Sequence, residues 1–117
     1  MIRLSLAYPP SLNTIWRRVG AKTLLSAYGR AYRKVVCDSV LEAGVRRGYL
    51  ADKRLAVTIA AMPPDRRRRD LDNIPKAVFD ALTHAGVWDD DSQIDRLTIS
   101  RLDPVKGGAI IVQIEEI

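Results

Sequence analysis

The sequence predicts an α+β fold, a small mixed β-sheet packed with two main helices in the order β-α-β-α-β-β. Apolar and polar residues alternate in separated segments near residues 2–8, 55–61 and 110–114. Two intervening segments repeat apolar residues at three- and four-residue spacings, and Pro-Pro and Gly-Gly pairs punctuate the joints. At 117 residues and 47% hydrophobic composition, without repeats or a linker, residues 1–117 read as a single domain.

The elements follow in order. Ile2, Leu4, Leu6 and Tyr8 alternate with Arg3, Ser5 and Ala7, a strand with one buried face that Pro9-Pro10 stops. A loop from Pro9 to about Leu25 carries Asn13, Trp16, Arg17, Arg18 and Gly20. This polar and aromatic mix suits contact with nucleic acid and equally suits a surface loop anchored by Trp16. Ser26 is placed to cap a helix running to about Arg47, with an apolar stripe of Tyr28, Tyr32, Val35, Val36, Val40 and Ala43. Leu55, Val57, Ile59 and Ala61 form a second strand ended by Pro63-Pro64.

Leu71, Ile74, Val78, Phe79 and Leu82 define the second helix, with Asp72 as N-cap, Pro75 in the tolerated first turn and Gly86 just past the end. A strand around Asp95 to Leu102 carries Leu97 and Ile99 on one face. The turn Asp103 to Gly108 then leads to a last strand with Ile110, Val112 and Ile114.

Nineteen Lys and Arg against fourteen Asp and Glu give a net charge of +5 and a pI near 9.7, which favours a polyanionic partner by counterion release. The basic residues recur along the chain, at Arg17-Arg18, Arg30, Arg33-Lys34, Arg46-Arg47 and Arg66 to Arg69, as expected of a folded surface with several phosphate contacts. No apolar run reaches the roughly 18 residues of a membrane span and no secretory leader is evident, so the expectation is a cytoplasmic protein with no membrane partner. Cys37 falls in the apolar pattern of the first helix and reads as a buried, inert thiol. His84, near a helix C-terminus, reads as a surface residue compatible with the dipole.

The segment from Pro64 to Lys76 is the densest in chemistry. It sets Asp70 and Asp72 among four consecutive arginines, Arg66 to Arg69, with Lys76 one helical turn on. Carboxylates repel phosphate, so acids inside the most basic part of a basic chain make sense when divalent cations sit between them and a nucleic-acid backbone. The run Asp89-Asp90-Asp91 can supply a third carboxylate, and magnesium, which takes oxygen ligands and keeps several waters, needs no histidine. Lys76 suits charge stabilisation on the reacting phosphate, and Arg66, Arg67, Arg68 and Arg69 suit phosphate clamps, Arg69 being nearest Asp70. The competing reading is plain: Asp72 caps a helix, Asp70 complements its dipole, the arginines are a solvated loop and the three aspartates a turn.

Taken together, Pro64 to Asn73, Lys76-Ala77 and Phe79 to Thr83 resemble the central motif of the RusA-type Holliday junction endodeoxyribonucleases of bacteria and prophages. Gly86-Val87-Trp88 with Asp90-Asp91, the Pro9-Pro10-Ser11-x-Asn13 loop, Gly29-x-Ala31-Tyr32-Arg33 and Lys106-Gly107-Gly108 match in order, so the resemblance covers nearly the whole chain. It implies a RusA-like fold and a magnesium-dependent homodimer, with manganese able to substitute, that binds four-way junctions and makes paired nicks in DNA recombination and repair. By position, Asp70, Asp72 and Asp91 look like the metal-binding catalytic carboxylates, with Asp90 an alternative third ligand, and Lys76 like the catalytic lysine. Arg66 to Arg69, Arg17, Arg18 and Asn13 are the expected DNA contacts. Competing functions are a junction-binding protein that does not cut and a metal-dependent nuclease of other branched DNA.

Overall fold

In the computed structural model, residues 1–11 and 16–117 are described. Asn13 and the Trp16 side chain lie outside the described residues. The elements are strands β1 (Ile2–Leu6), β2 (Trp16–Val19) and β3 (Lys22–Leu25), helix α1 (Ala27–Glu42), β4 (Leu55–Met62), helix α2 (Asn73–His84), a 3₁₀ turn (Asp91–Gln93), β5 (Ile94–Arg101) and β6 (Ala109–Glu116). Four strands form one sheet in the order β1-β6-β4-β5, with β4 and β5 parallel and the other pairs antiparallel. The parallel pair is joined through α2, the connection such a pair requires.

Alternation produces this sheet directly. Leu4 faces Val112, Val112 faces Ile59 and Ile59 faces Ile99, so one apolar row crosses all four strands. That face joins Tyr32, Val36 and Val40 of α1 and Ile74, Val78, Ala81 and Leu82 of α2 in a single core. Arg3, Ser5, Thr58, Arg96 and Thr98 point from the other face into solvent.

Local residues explain where the helices begin and end. Ser26 Oγ accepts from Gly29 N–H at 3.2 Å, capping α1 as expected. Each helix closes in a Schellman motif: Gly44 and Gly86 sit at φ of 75° and 79°, and the following Val45 and Val87 donate back to the carbonyls of Val40 and Leu82. That motif stops α1 at Glu42, short of the expected Arg47. Tyr28 and Val35, assigned to the apolar stripe, lie on the exposed side, while Gly29 is buried in their place. Cys37 is half-buried, not fully enclosed.

The segment read as a loop from Pro9 to Leu25 contains a hairpin. β2 and β3 pair from Trp16–Leu25 to Val19–Lys22 around Gly20-Ala21, with Gly20 at φ 61° supplying the left-handed turn residue. The hairpin stands apart from the main sheet and Arg17, Arg18, Lys22 and Thr23 are exposed, so it has no buried face to mark it in the sequence. β5 is an edge strand, and its Leu97 is 41% exposed. No helix among the described residues is long and apolar enough to cross a membrane.

Candidate active site

The β4–α2 connection carries the arginines and the first pair of acids. It is ordered by Asp65, whose Oδ1 accepts from Arg67 N–H at 2.9 Å and from the Arg69 guanidinium at 2.7 Å. The Arg69 bond leads in pulling the Asp65 carboxyl down to about 2, followed by the Arg67 amide. Arg69 also lies over the Tyr8 ring, 5.9 Å from its centroid, and its carbonyl accepts from Arg101 at the end of β5. Arg69 is therefore a strut within the corner, whereas Arg66, Arg67 and Arg68 extend into solvent. These arginines, with Arg101 and Pro104, border a groove of about 640 Å³. Arg17 and Arg18 stand exposed on β2.

Asp72 occupies the N-cap position of α2, yet its side chain makes no capping hydrogen bond. Pro75 falls within the first turn, as expected. Among the described residues neither Asp70 nor Asp72 takes a hydrogen bond or ion pair through its carboxylate, so the capping account of these acids lacks its bond. Asp72, Lys76 and Asp80 follow at four-residue spacing, which places them on one face of α2. Asp80 is gripped from α1 by Arg33 through two bonds of 2.8 and 3.0 Å.

The second acidic segment is positioned by packing. Trp88, buried beside Phe79 with ring centroids 5.8 Å apart at 76°, donates from Nε1 to Thr83 Oγ1 at 2.7 Å. Gln93 then fixes the run that follows: Oε1 accepts from the amides of Asp89 and Asp90, and Nε2 donates to the carbonyls of Leu50 and Lys53, all at 2.8–3.0 Å. The Asp90 carboxylate caps the 3₁₀ turn by accepting from Ser92 N–H at 2.9 Å, and that bond leads in holding its carboxyl low. Asp91 is pushed the other way. Desolvation comes first, then the hydrogen bond and charge of Asp90; Asp80 adds to the rise and Lys76 opposes it.

Thus Asp91, Asp90, Lys76 and Asp80 share one electrostatic neighbourhood, with Asp72 one turn above Lys76 and Asp70 beyond it. Among the described residues no three His, Cys, Asp or Glu side chains stand close enough together to hold a metal ion. The donors nevertheless suit a hard cation. They are oxygens, two are unengaged, and a nearby cation would favour the ionised form of Asp91, whose carboxyl desolvation and Asp90 push up. Magnesium needs only one or two protein carboxylates when water and phosphate complete its shell.

Comparison with known proteins settles the family. Residues 7–115 match the family described as Endodeoxyribonuclease RusA. The chain belongs to the RusA family. It is 42% identical over 112 residues to the crossover junction endodeoxyribonuclease of Enterobacteria phage HK97, covering 96% of this chain and 92% of that protein. It is likewise 42% identical over 117 residues to that of phage 82, covering 97% and 92%. The protein of the same name from Escherichia coli K12 is 40% identical over 113 residues, with coverage of 97% and 92%.

Within this RusA family chain, four residues carry structural weight that the sequence alone does not assign. Gln93 and the Arg33–Asp80 pair escaped because a lone Gln or Arg has no pattern until its partner in the fold is known. Arg101 escaped because β5 and the arginine loop meet only through the parallel register that sets Ala61 beside it.

Proposed function

We propose that this protein is a structure-selective DNA endonuclease that resolves four-way junctions by paired, symmetric phosphodiester cuts, in recombination and repair. The observation that carries the reading is the unengaged Asp70 and Asp72 pair set in a corner of exposed arginines, in a chain of the RusA family. The printed names of the relatives, crossover junction endodeoxyribonuclease, support the substrate class.

Asp70, Asp72 and Asp91 are the residues that would hold magnesium, or manganese in its place, with Asp90 committed mainly to its cap. When bound, the cation acidifies a water and offsets charge on the phosphoryl oxygens. Lys76 presents three N–H donors, on the helix face it shares with Asp72, to phosphate oxygens or to the departing 3′ oxygen. Arg66, Arg67 and Arg68 hold the backbone through charge-assisted bonds that carry no base information. A four-way junction offers symmetric pairs of strands, so a homodimer supplies the second site that paired cutting needs. A cytoplasmic location fits this task.

A junction-binding protein that does not cut is the second reading, favoured by the absence of a ready-made acidic cluster among the described residues. One experiment separates the two. An end-labelled four-way junction and a matched duplex are incubated with the protein in magnesium or in EDTA. Paired, magnesium-dependent cuts confined to the junction support the endonuclease. Tight binding without cuts supports the binding protein, and equal cutting of the duplex refutes junction selectivity.

A further inference from the structure

β1, β4 and β5 all end at the same edge of the sheet, since Leu6 and Ala61 both pair with Ile110, and Arg101 pairs with Ala61. The segments leaving β1 and β4 line an open cavity of about 420 Å³. Tyr8, Pro9, Pro10 and Ile74 give it apolar walls, and Arg69, Asp70 and Asn73 give it a polar margin. That volume falls in the range of about 300–1,000 Å³ typical of pockets that enclose a small molecule. A mixed lining with an aromatic ring, a guanidinium and one carboxamide offers the groups by which proteins hold a nucleobase out of its stack.

Contacts from the surrounding elements position the walls of the cavity. Tyr32 donates from its hydroxyl to the Ala7 carbonyl at 2.9 Å, fixing the chain just before Tyr8. Gly108 approaches so closely that an added Cβ would stand 2.9 Å from Tyr8 Cβ and 3.0 Å from Pro64 Cδ. Arg69 is pinned by Asp65 and lies over one face of the Tyr8 ring, which leaves the other face for a base. Asn73, the first residue of α2, has both an amide donor and a carbonyl acceptor to offer a base edge.

We propose that this cavity receives one unstacked nucleobase of the strand to be cut, with Tyr8 as stacking plane and Asn73 as the side chain that reads its edge. The inference rests on the endonuclease reading and deepens it. A base held there leaves its phosphate beside Asp70, so Asn73 sets which base lies next to the cut. The crossover is where extrusion costs least, because bases at a branch point are the least constrained by stacking and pairing.

The test is a binding scan in EDTA, in which a single abasic residue is walked across the crossover of a four-way junction. Wild-type protein loses about tenfold in affinity at one symmetry-related position and little at its neighbours, the size expected of one base–aromatic stack. Tyr8→Leu shows that loss on intact DNA and no further loss with the abasic junction, whereas Tyr8→Phe behaves as wild type. Asn73→Ala reduces the affinity spread among the four bases at that position from about tenfold to under about twofold. A flat scan, or a position-specific loss that persists unchanged in Tyr8→Leu, overturns the proposal while leaving the endonuclease reading intact. Failure of wild-type protein to bind any junction overturns both, and the gel shift reports that outcome separately.

Discussion

The two acidic segments at opposite ends of α2 are built in opposite ways. Asp89 to Asp91 are fixed by four hydrogen bonds of one buried glutamine, a buried tryptophan and a capped turn. Asp70 and Asp72 have no such partners among the described residues, although the residues around them, Asp65, Arg69 and Arg101, are tied together. A carboxylate left without donors beside a helix start forgoes stability that a cap would supply. The difference divides the candidate site into a preformed wall and a pair of carboxylates left without partners.

The largest expected effect tests the open half. Asp72→Asn keeps the shape and removes the charge, so junction cleavage should fall on the order of a thousandfold while binding in EDTA holds or tightens. Equal loss of binding and cleavage, measured on the same labelled junction, would mean that Asp72 supports the fold or the DNA and not the chemistry.

The preformed half should fail through stability first. Gln93→Leu leaves the carbonyls of Leu50 and Lys53 without this donor and releases two amides, and the expected cost is about 2–4 kcal/mol in urea unfolding. Thr83→Val removes the acceptor of the Trp88 indole N–H and should cost less, about 1–2 kcal/mol. If both variants melt like wild type, the acidic wall is not held as described.

A smaller, paired measurement sharpens the comparison. Asp72 and Asp90 both stand at the N-cap of a helical turn, but only Asp90 accepts a backbone N–H there. Asp90→Ala should therefore lower the stability measured by thermal unfolding, and Asp72→Ala should leave it within about 0.5 kcal/mol of wild type. A matching drop in both would restore capping as the role of Asp72.

How much of this was legible beforehand depends on whether a feature is local. Alternation in β1, β4 and β6 and the glycine that closes α2 were readable because each depends on neighbours in sequence. The end of α1 was misplaced because Gly44 follows Ala43 within an otherwise helical pattern, and only its φ of 75° shows the stop. The hairpin at residues 16–25 was missed because its exposed strands have no apolar alternation to read. At the site, residue types and spacing pointed to the acids and Lys76 as candidates. They could not show that Arg69 turns inward to Asp65 and Tyr8, which depends on where β1 ends in space.

The smallest effect concerns that inward turn and is a matter of pH. Asp65 has its carboxyl lowered from 3.8 to about 2, chiefly by the Arg69 hydrogen bond. A folded value below the unfolded one means the contribution is complete above the unfolded value and disappears as pH falls through the folded one. The stability gap between wild type and Asp65→Asn should therefore be constant from neutral pH down to roughly 5 and should narrow between about 4 and 2. Because the pair is exposed, the gap should also shrink in high salt. Urea midpoints across that pH series measure it. A gap that ignores pH would mean that the ion pair is not formed in solution and that Arg69 is free to join Arg66, Arg67 and Arg68 on the phosphate backbone.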